Sequence, residues 1–444
     1  MLWRHRLNPQ NVVACAPFDM GRGGPFLSES ALPQAGTVEP QAASSASLGS
    51  KRKFVDAEAA QAKSKRNEVR RRAYADQREA ARLMWANDTS GRPGGVTFCG
   101  WTHIAGRPID IFRDESGHDF RAYYSGLQKC GQAWTCPCCA RPKAEKGREF
   151  LNALLSLGRT EGWHVVMMTL TARHRINMRL GDLWSAMSGA SDRLRKSRQW
   201  RALKPMMVGS VRAVEVTHGA NGWHPHFHVL IAFRSDASDD EAGAIALAET
   251  LRAEWMHQLD VAGLTGNEHA FHVQGGGGVG NYIAKWGMAE ELTLTGAKTG
   301  RDGGRTPWQL LSDSREGDAV AGKLWYEFAQ VIKGTHQLRA TPYLKELVGI
   351  EIERRADEDA EGQHELKPDV VVGVHVATVD RSTWIDGGGR YRRLRALEAA
   401  EKGTIDDARA GVTVALTADA MDRDFFDSDD PGLLFEALIS VDTG

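Results

Sequence analysis

A chain of 444 residues, 42% of them hydrophobic, is long enough to bury one large core or two ordinary ones. No apolar run approaches the length of a membrane span, so the expected compartment is the cytoplasm, and six cysteines are too few for a disulfide scaffold. The net charge of -1 does not exclude a nucleic-acid partner, because the charge is blocked: Lys51 to Arg82 holds eleven Lys/Arg against five Asp/Glu, and Asp419 to Asp430 is almost purely acidic.

Residues 1–50, rich in Ala, Ser, Gly and Pro without helical or strand period, read as a disordered tail. Residues 51–94 turn to Lys, Arg, Ala and Glu and predict a solvated charged helix over Lys51 to Trp85, where Arg70, Arg71 and Arg72 could lie along a phosphate backbone. Residues 95–150 carry Cys99, Cys130, Cys136 and Cys139, with a C-x-x-C knuckle if Cys138 is the bystander. Four thiolates can close a tetrahedral Zn²⁺ site that staples a loop-rich module, and a cluster of buried, unliganded cysteines is the alternative. The long gap after Cys99 leaves His103 or His118 as substitutes for it. Arg141, Lys143, Lys146 and Arg148 follow closely and are candidate phosphate contacts.

Residues 151–350 alternate between the two periods. His164 to Thr171, Val208 to Thr217, Trp223 to Phe233 and Ala270 to Gln274 read as strands, and Leu180 to Leu203, Asp239 to Leu259 and Gly280 to Glu291 as helices. That order, βαββαβα, predicts an α+β domain built on a split βαβ (ferredoxin-like) antiparallel sheet with helices on one face. Thr295 to Pro307 is a Gly-rich basic loop whose Lys298, Arg301 and Arg305 are candidate DNA contacts, and Asp318 to Lys333 returns to helical period. Residues 351–444 form an extension with one strand, Val370 to Val379, one helix near Tyr391 to Lys402, and the acidic tail.

The chemistry concentrates in two segments. On the strand from Trp223, His226 and His228 project to one face with Cα atoms roughly 6–7 Å apart, close enough to converge on one ion, and His224 shares that face as an alternate ligand. If Gly219 to Gly222 is the hairpin loop, Glu215 lies opposite His226 and adds an anionic ligand; a slip of one residue would turn it to the other face. Two imidazoles and a carboxylate with open positions suit Mg²⁺ or Mn²⁺ acting as a Lewis acid on a phosphate oxygen. Tyr282 follows the run Gly275 to Gly278 and shares a helix face with Lys285. A phenol with a free pKa near 10 needs a nearby cation to act as a nucleophile, and Lys285 and the ion could supply that charge.

Taken together, these segments resemble the rolling-circle plasmid replication initiators of the HUH endonuclease superfamily, in particular the family with a cysteine cluster before its catalytic core. Met168-Thr169-Leu170-Thr171 looks like the first motif, His224-Pro225-His226-Phe227-His228-Val229-Leu230 like the two-histidine motif, and Tyr282-Ile283-Ala284-Lys285-Trp286 like the nucleophile motif. Glu291, Lys298, Thr306 to Leu311, Lys333-Gly334 and Gln337-Leu338 look like later segments, so the resemblance runs from about Cys99 to Ile350. It implies metal-assisted attack of Tyr282 on origin DNA, a 5′-phosphotyrosyl link and a free 3′-hydroxyl primer. It also implies a host helicase and polymerase as partners and a homodimer as an assembly. Some relatives carry a water-activating glutamate four residues before the tyrosine, where this chain has Gly278; Glu290, Glu291 or a second molecule's tyrosine are the substitutes. A transposase or relaxase with the same chemistry, or a non-catalytic DNA-binding regulator, are the other readings.

Overall fold

The computed structural model describes residues 46–89, 95–116, 120–276, 279, 304–350, 373–386 and 390–417. It divides into Met1–Phe54 and Val55–Gly444, and apart from the start of the first helix the features below lie in the second unit. Helix α1 (Ala46–Ala86) is followed by strands β1 (Ile109–Asp114) and β2 (Arg121–Ser125), whose alternating burial turns Ile109, Ile111, Ala122 and Tyr124 inward. Helix α2 (Pro137–Thr160) opens with Pro137 at its first position and buries Ala140, Ala144, Leu151 and Leu154 on one stripe.

Strand β3 (His164–Leu170) leads into α3 (Leu180–Lys196) and α4 (Arg198–Leu203). These were one helix in the sequence reading; the Ser197 hydroxyl accepts from Trp200 N–H, ending the first and capping the second. The hairpin β4 (Met207–Gly219) and β5 (Gly222–Phe233) follows, then α5 (Glu241–Glu249), α6 (Arg252–Val261) and β6 (Phe271–Gln274). Helix α7 (Pro307–Arg315) starts with a capping box between Thr306 and Gln309, and α8 (Ala319–Val331), β7 (Leu338–Ala340) and α9 (Pro342–Val348) complete this part. The last stretch forms β8 (Val374–Val379), α10 (Arg381–Asp386), α11 (Arg390–Ala400) and α12 (Ile405–Thr417). No helix among the described residues is long and apolar enough to cross a membrane.

The larger sheet is antiparallel, with the order β6-β3-β5-β4-β7. The helical connection from β3 to β4 passes over β5, and that from β5 to β6 passes over β3, so two split βαβ units interleave. Helices cover both faces rather than the single face expected. Val166, Met168, Phe227, Val229 and Ile231 pack with Leu183, Met187, Trp255 and Phe328 on one side. On the other, Val165, Met167, Val211, Leu230 and Ala232 pack with Phe150, Leu151 and Leu154 of α2 and Leu344 of α9. Strands apolar in both directions require two covers, and the second comes from a helix hidden behind the cysteines in sequence.

A second antiparallel sheet has the order β2-β1-β8, so the described part of the C-terminal extension packs with β1 and β2: β8 pairs with β1, and α11 and α12 close the core around Ile111, Tyr124, Val376, Leu397 and Val412. Helix α1 is not solvated as expected. Its Val69, Asp76, Gln77, Glu79, Ala80 and Leu83 are buried, and its cations meet acids that lie far off in sequence. Arg70 pairs with Glu401 at 2.6 Å and Arg71 with Glu398 at 2.8 Å, while Arg315 pairs with Asp76 at 2.8 Å.

Glu401, wholly buried, binds Arg66 and Arg70 and accepts the N–H of Ala122 at 2.9 Å, while Arg66 and Arg70 donate to the carbonyls of Phe120 and Ala122. The outer edge of β2 is thereby paired with side chains instead of another strand. Glu401→Ala leaves two arginines facing each other without their acid and is expected to cost roughly 3–5 kcal/mol in a urea titration. A loss under about 1 kcal/mol would mean that the cluster contributes no more than a surface ion pair.

Candidate functional site

The hairpin fixes one side of the site. Gly222 has φ +86°, and a Cβ there would lie 2.8 Å from Ile176 Cα, so glycine is required where the chain turns into β5. Gly219 pairs with Gly222, which sets His218 opposite Trp223 and Glu215 opposite His226. This is the register expected from the sequence. Pro225 sits in β5 beyond the last residue paired with β3, Phe227, so its missing N–H costs no bond on that side.

Glu215, His226 and His228 lie on the face covered by α2 and α9 at its other end, and one ligand atom from each falls within 4.8 Å of the others. His226 Nε2 is 2.8 Å from Glu215 Oε2, and His228 Nε2 is 3.5 Å from the same oxygen. The Thr169 hydroxyl, on β3 opposite His228, lies 3.1 Å from His228 Nδ1, which orients the ring and leaves Nε2 toward the carboxylate. His226 Nδ1 is buried with no hydrogen-bond partner among the described residues. The donor set, two imidazoles and a carboxylate around one point, fits a divalent cation.

The electrostatics run the same way. Burial alone would raise the Glu215 pKa, but hydrogen bonds and charge from His226 and His228 hold it well below the ordinary carboxylate range. Burial likewise pulls the His226 imidazole down, and the hydrogen bond and charge of Glu215 more than reverse it, so its pKa is raised. Glu215 thus stays ionised, and His226 beside it is biased toward its protonated form. His224 behaves differently: burial, then the neighbouring His226 and His174, push its pKa down to about 4, and its Nε2 lies 3.0 Å from the Thr171 hydroxyl. It turns away from Glu215 toward Thr171 and His174, so the alternate ligand of the sequence reading is outside the trio.

A second cluster gathers Cys99, Cys130, Cys136 and Cys139, whose sulfurs lie within 4.8 Å of one another. The Cys99–Cys139, Cys99–Cys136 and Cys130–Cys139 separations are 3.4, 3.6 and 3.8 Å, near the roughly 3.8 Å edge of a tetrahedron with 2.3 Å metal–sulfur bonds. Thiols of Cys130, Cys136 and Cys99 around it hold the Cys139 thiol far below its ordinary range, a role a cation would take over. Cys139 also lies in the first turn of α2, where the helix N-terminus favours a thiolate. Cys138 is the bystander, its sulfur 3.4 Å from Gln77 Oε1, and His103 bridges to Leu127 away from the sulfurs.

Other expected site residues are distributed less tightly. Tyr282, Lys285, Lys298 and Arg301 lie outside the described residues, as do Gly278, Glu290, Glu291 and His118. Val279, three residues before Tyr282, is fully buried in the core on the trio's face of the sheet, and Gly276 N–H donates to Glu241 at 2.6 Å. Arg305 is held in a bridge with His218 and pairs with Asp313 and Asp318 at 3.1 and 2.9 Å. Arg141, Lys146 and Arg148 are exposed on α2 and Lys143 is half-buried; Arg148 lies 3.7 Å from Glu145. The sequence reading gave no role to Thr169 and Thr171; the polar residues alternating with Met168 and Leu170 on β3 were the available signal.

Residues 126–242 match the model of the family described as replication protein, Rep_1. The match contains Cys130, Cys136, Cys139 and the whole Glu215–His226–His228 group, and ends before Tyr282. A Rep protein of Streptomyces lividans is 29% identical over 297 residues, covering 51% of this chain and 65% of its own. A neomycin resistance protein of Streptomyces cyanogenus is 32% identical over 164 residues, covering 29% and 37%, and a Rep protein of Bacillus sp is 34% identical over 105 residues, covering 23% and 33%. The chain therefore spans less than two thirds of the length of each of these relatives. No solved structure matches. Over residues 126–242, which hold three of the four clustered cysteines and the two-histidine hairpin, the chain is therefore similar to the Rep_1 replication protein family.

Proposed function

We propose that the protein is a nicking and joining endonuclease of the HUH type that opens single-stranded plasmid origin DNA to begin rolling-circle replication. The observation that carries this reading is the convergence of Glu215, His226 and His228 on one point of the larger sheet. Mg²⁺ or Mn²⁺ held there would supply Lewis-acid polarisation of the scissile phosphate. The Tyr282 hydroxyl gives up its proton and attacks the phosphorus, with Lys285 lowering the charge cost of the phenolate. A bond from the tyrosine oxygen to phosphorus forms, the bond from phosphorus to the 3′-oxygen breaks, and that oxygen takes a proton. The DNA keeps a 5′ end on Tyr282 and a free 3′-hydroxyl that a host polymerase extends behind a host helicase. Burial of Val279 supports this role, since it anchors the chain three residues before Tyr282 on the face that carries the trio. Thr169 positions His228, and Zn²⁺ at the four cysteines ties α1 and the start of α2 to the catalytic sheet.

The test is a covalent adduct. Full-length protein, Mg²⁺ or Mn²⁺ and single-stranded fragments of its own replicon are expected to give a protein–DNA band that survives denaturing electrophoresis. Tyr282→Phe abolishes that band while still binding the fragment. If the native origin is present and no adduct forms with either metal, the nicking assignment fails and a DNA-binding regulator is the better reading.

A further inference from the structure

The smaller sheet buries one face against α11 and α12, and its opposite face carries a row of rings. Phe112 on β1 is directly opposite Tyr123 on β2 and His375 on β8, so the three span the sheet from edge to edge. The Phe112 and Tyr123 rings stack with centroids 5.9 Å apart, and His375 meets Phe112 edge-on at 5.4 Å. His375 is exposed and the other two are half-buried. Its imidazole is fixed by Thr378 Oγ1 at 3.1 Å and Asp110 Oδ1 at 3.3 Å, and Thr378 in turn donates to Asp110 at 2.6 Å. Rigid rings in a row on an outer sheet face offer flat apolar surface at little entropic cost.

Tyr123 continues into a cavity of about 590 Å³ beside the cysteine cluster, which Arg121, Lys129 and Arg141 also line. Arg66 and Arg70, which also line it, are engaged by Glu401, and Asp114 and Glu145 are the lining acids. The surface thus combines flat rings with an adjoining set of cations. In a duplex the base faces are hidden and only edges show, whereas unpaired bases expose faces that stack on aromatic side chains.

We propose that the Tyr123–Phe112–His375 row is a stacking platform for single-stranded DNA, with the backbone following Arg121, Lys129 and Arg141. This rests on the replication reading above and extends it: unpaired DNA would be held at a site separate from the metal trio, on a sheet that the N-terminal and C-terminal parts of the chain build jointly.

The test uses the full chain, without divalent metal so that no strand is cut, and fluorescein-labelled oligo(dT) of about 20 nucleotides followed by anisotropy. Tyr123→Ala and His375→Ala are each expected to weaken binding about fivefold or more, and the double variant about 25-fold, the loss expected for one stacked base per ring. Tyr123→Phe keeps its ring and is expected to bind as the wild type, and duplex of the same length is expected to be unaffected by any of the changes. A second measurement guards against misfolding: photocrosslinks from 5-iodouracil-substituted oligonucleotide to the wild-type protein should map to peptides containing residues 112, 123 or 375. A double variant that binds as the wild type, an equal loss of duplex binding, crosslinks confined to other peptides, or tighter binding of the corresponding RNA would each overturn the proposal. Its failure is separable from that of the nicking reading, because adduct formation through Tyr282 is scored independently of oligo(dT) affinity.

Discussion

His226→Ala is expected to lower metal-dependent cleavage of single-stranded origin DNA by about three orders of magnitude, the size of several kcal/mol of Lewis-acid stabilisation withdrawn from the transition state. The imidazole is the nearest partner of Glu215, at 2.8 Å, and its removal leaves the carboxylate with His228 alone at 3.5 Å. Two ligands hold a hard divalent ion far less well than three. Thr169→Val tests the same centre more gently. It removes the hydroxyl 3.1 Å from His228 Nδ1 without touching a ligand, and losing such a supporting group costs about 10- to 100-fold in metal affinity or activity. Single-turnover cleavage at a series of Mn²⁺ concentrations separates the two. Thr169→Val should recover at high Mn²⁺, and His226→Ala should not. If His226 merely packs against the strand, His226→Ala will lower the unfolding temperature and leave cleavage intact, and the trio would then be a structural feature.

How much of this centre was legible in the sequence depends on which physical constraint each part obeys. Strand periodicity gave the shared face of His226 and His228, and the glycines at 219 and 222 gave the register that brings Glu215 opposite His226. Both are local. The role of Thr169 is not local: it depends on β3 pairing with β5 across a connection of two helices, and only the strand order brings residue 169 to residue 228. The same holds for the second sheet. Ile109 to Asp114 is a short alternating strand whose partner β8 lies some 260 residues further on, and no pattern within either segment announces the pairing. Helix α1 departs from its expected exposure for a related reason. Its composition is that of a solvated helix, yet Asp76 and Glu79 are buried and Arg70 is half-buried because Arg315, Ser314 and Glu401 arrive from distant elements to pair with them. Charge pattern along one segment reports exposure only when no other segment brings the opposite charge.

The cysteine cluster brings the same reasoning to a metal that would hold structure. Cys136→Ser is expected to remove one Zn²⁺ per chain and lower the unfolding temperature by about 5 °C, corresponding to a loss of about 4 kcal/mol in a unit the size of Val55–Gly444. Structural zinc in isolated fingers is worth roughly 10–16 kcal/mol, but here the cluster is also buried against an apolar core that includes Leu83, Trp308 and Val96, so part of the module would stay packed without the ion. The loss should be local first: Gln77 Nε2 donates to Cys99 O at 2.7 Å, and that link between α1 and the loops before β1 has no basis once the sulfurs separate. Limited proteolysis should therefore open between residues 95 and 135 before the larger sheet yields. Cys138→Ser is the discriminating control. Cys138 sits between Cys136 and Cys139 of the cluster, but its own sulfur faces Gln77 Oε1 and the Ala73 carbonyl, so its replacement should retain the zinc. Equal metal loss from Cys136→Ser and Cys138→Ser would show that the knuckle uses a different pair of sulfurs. A wild-type chain that carries no zinc as purified would mean that the four cysteines pack without an ion.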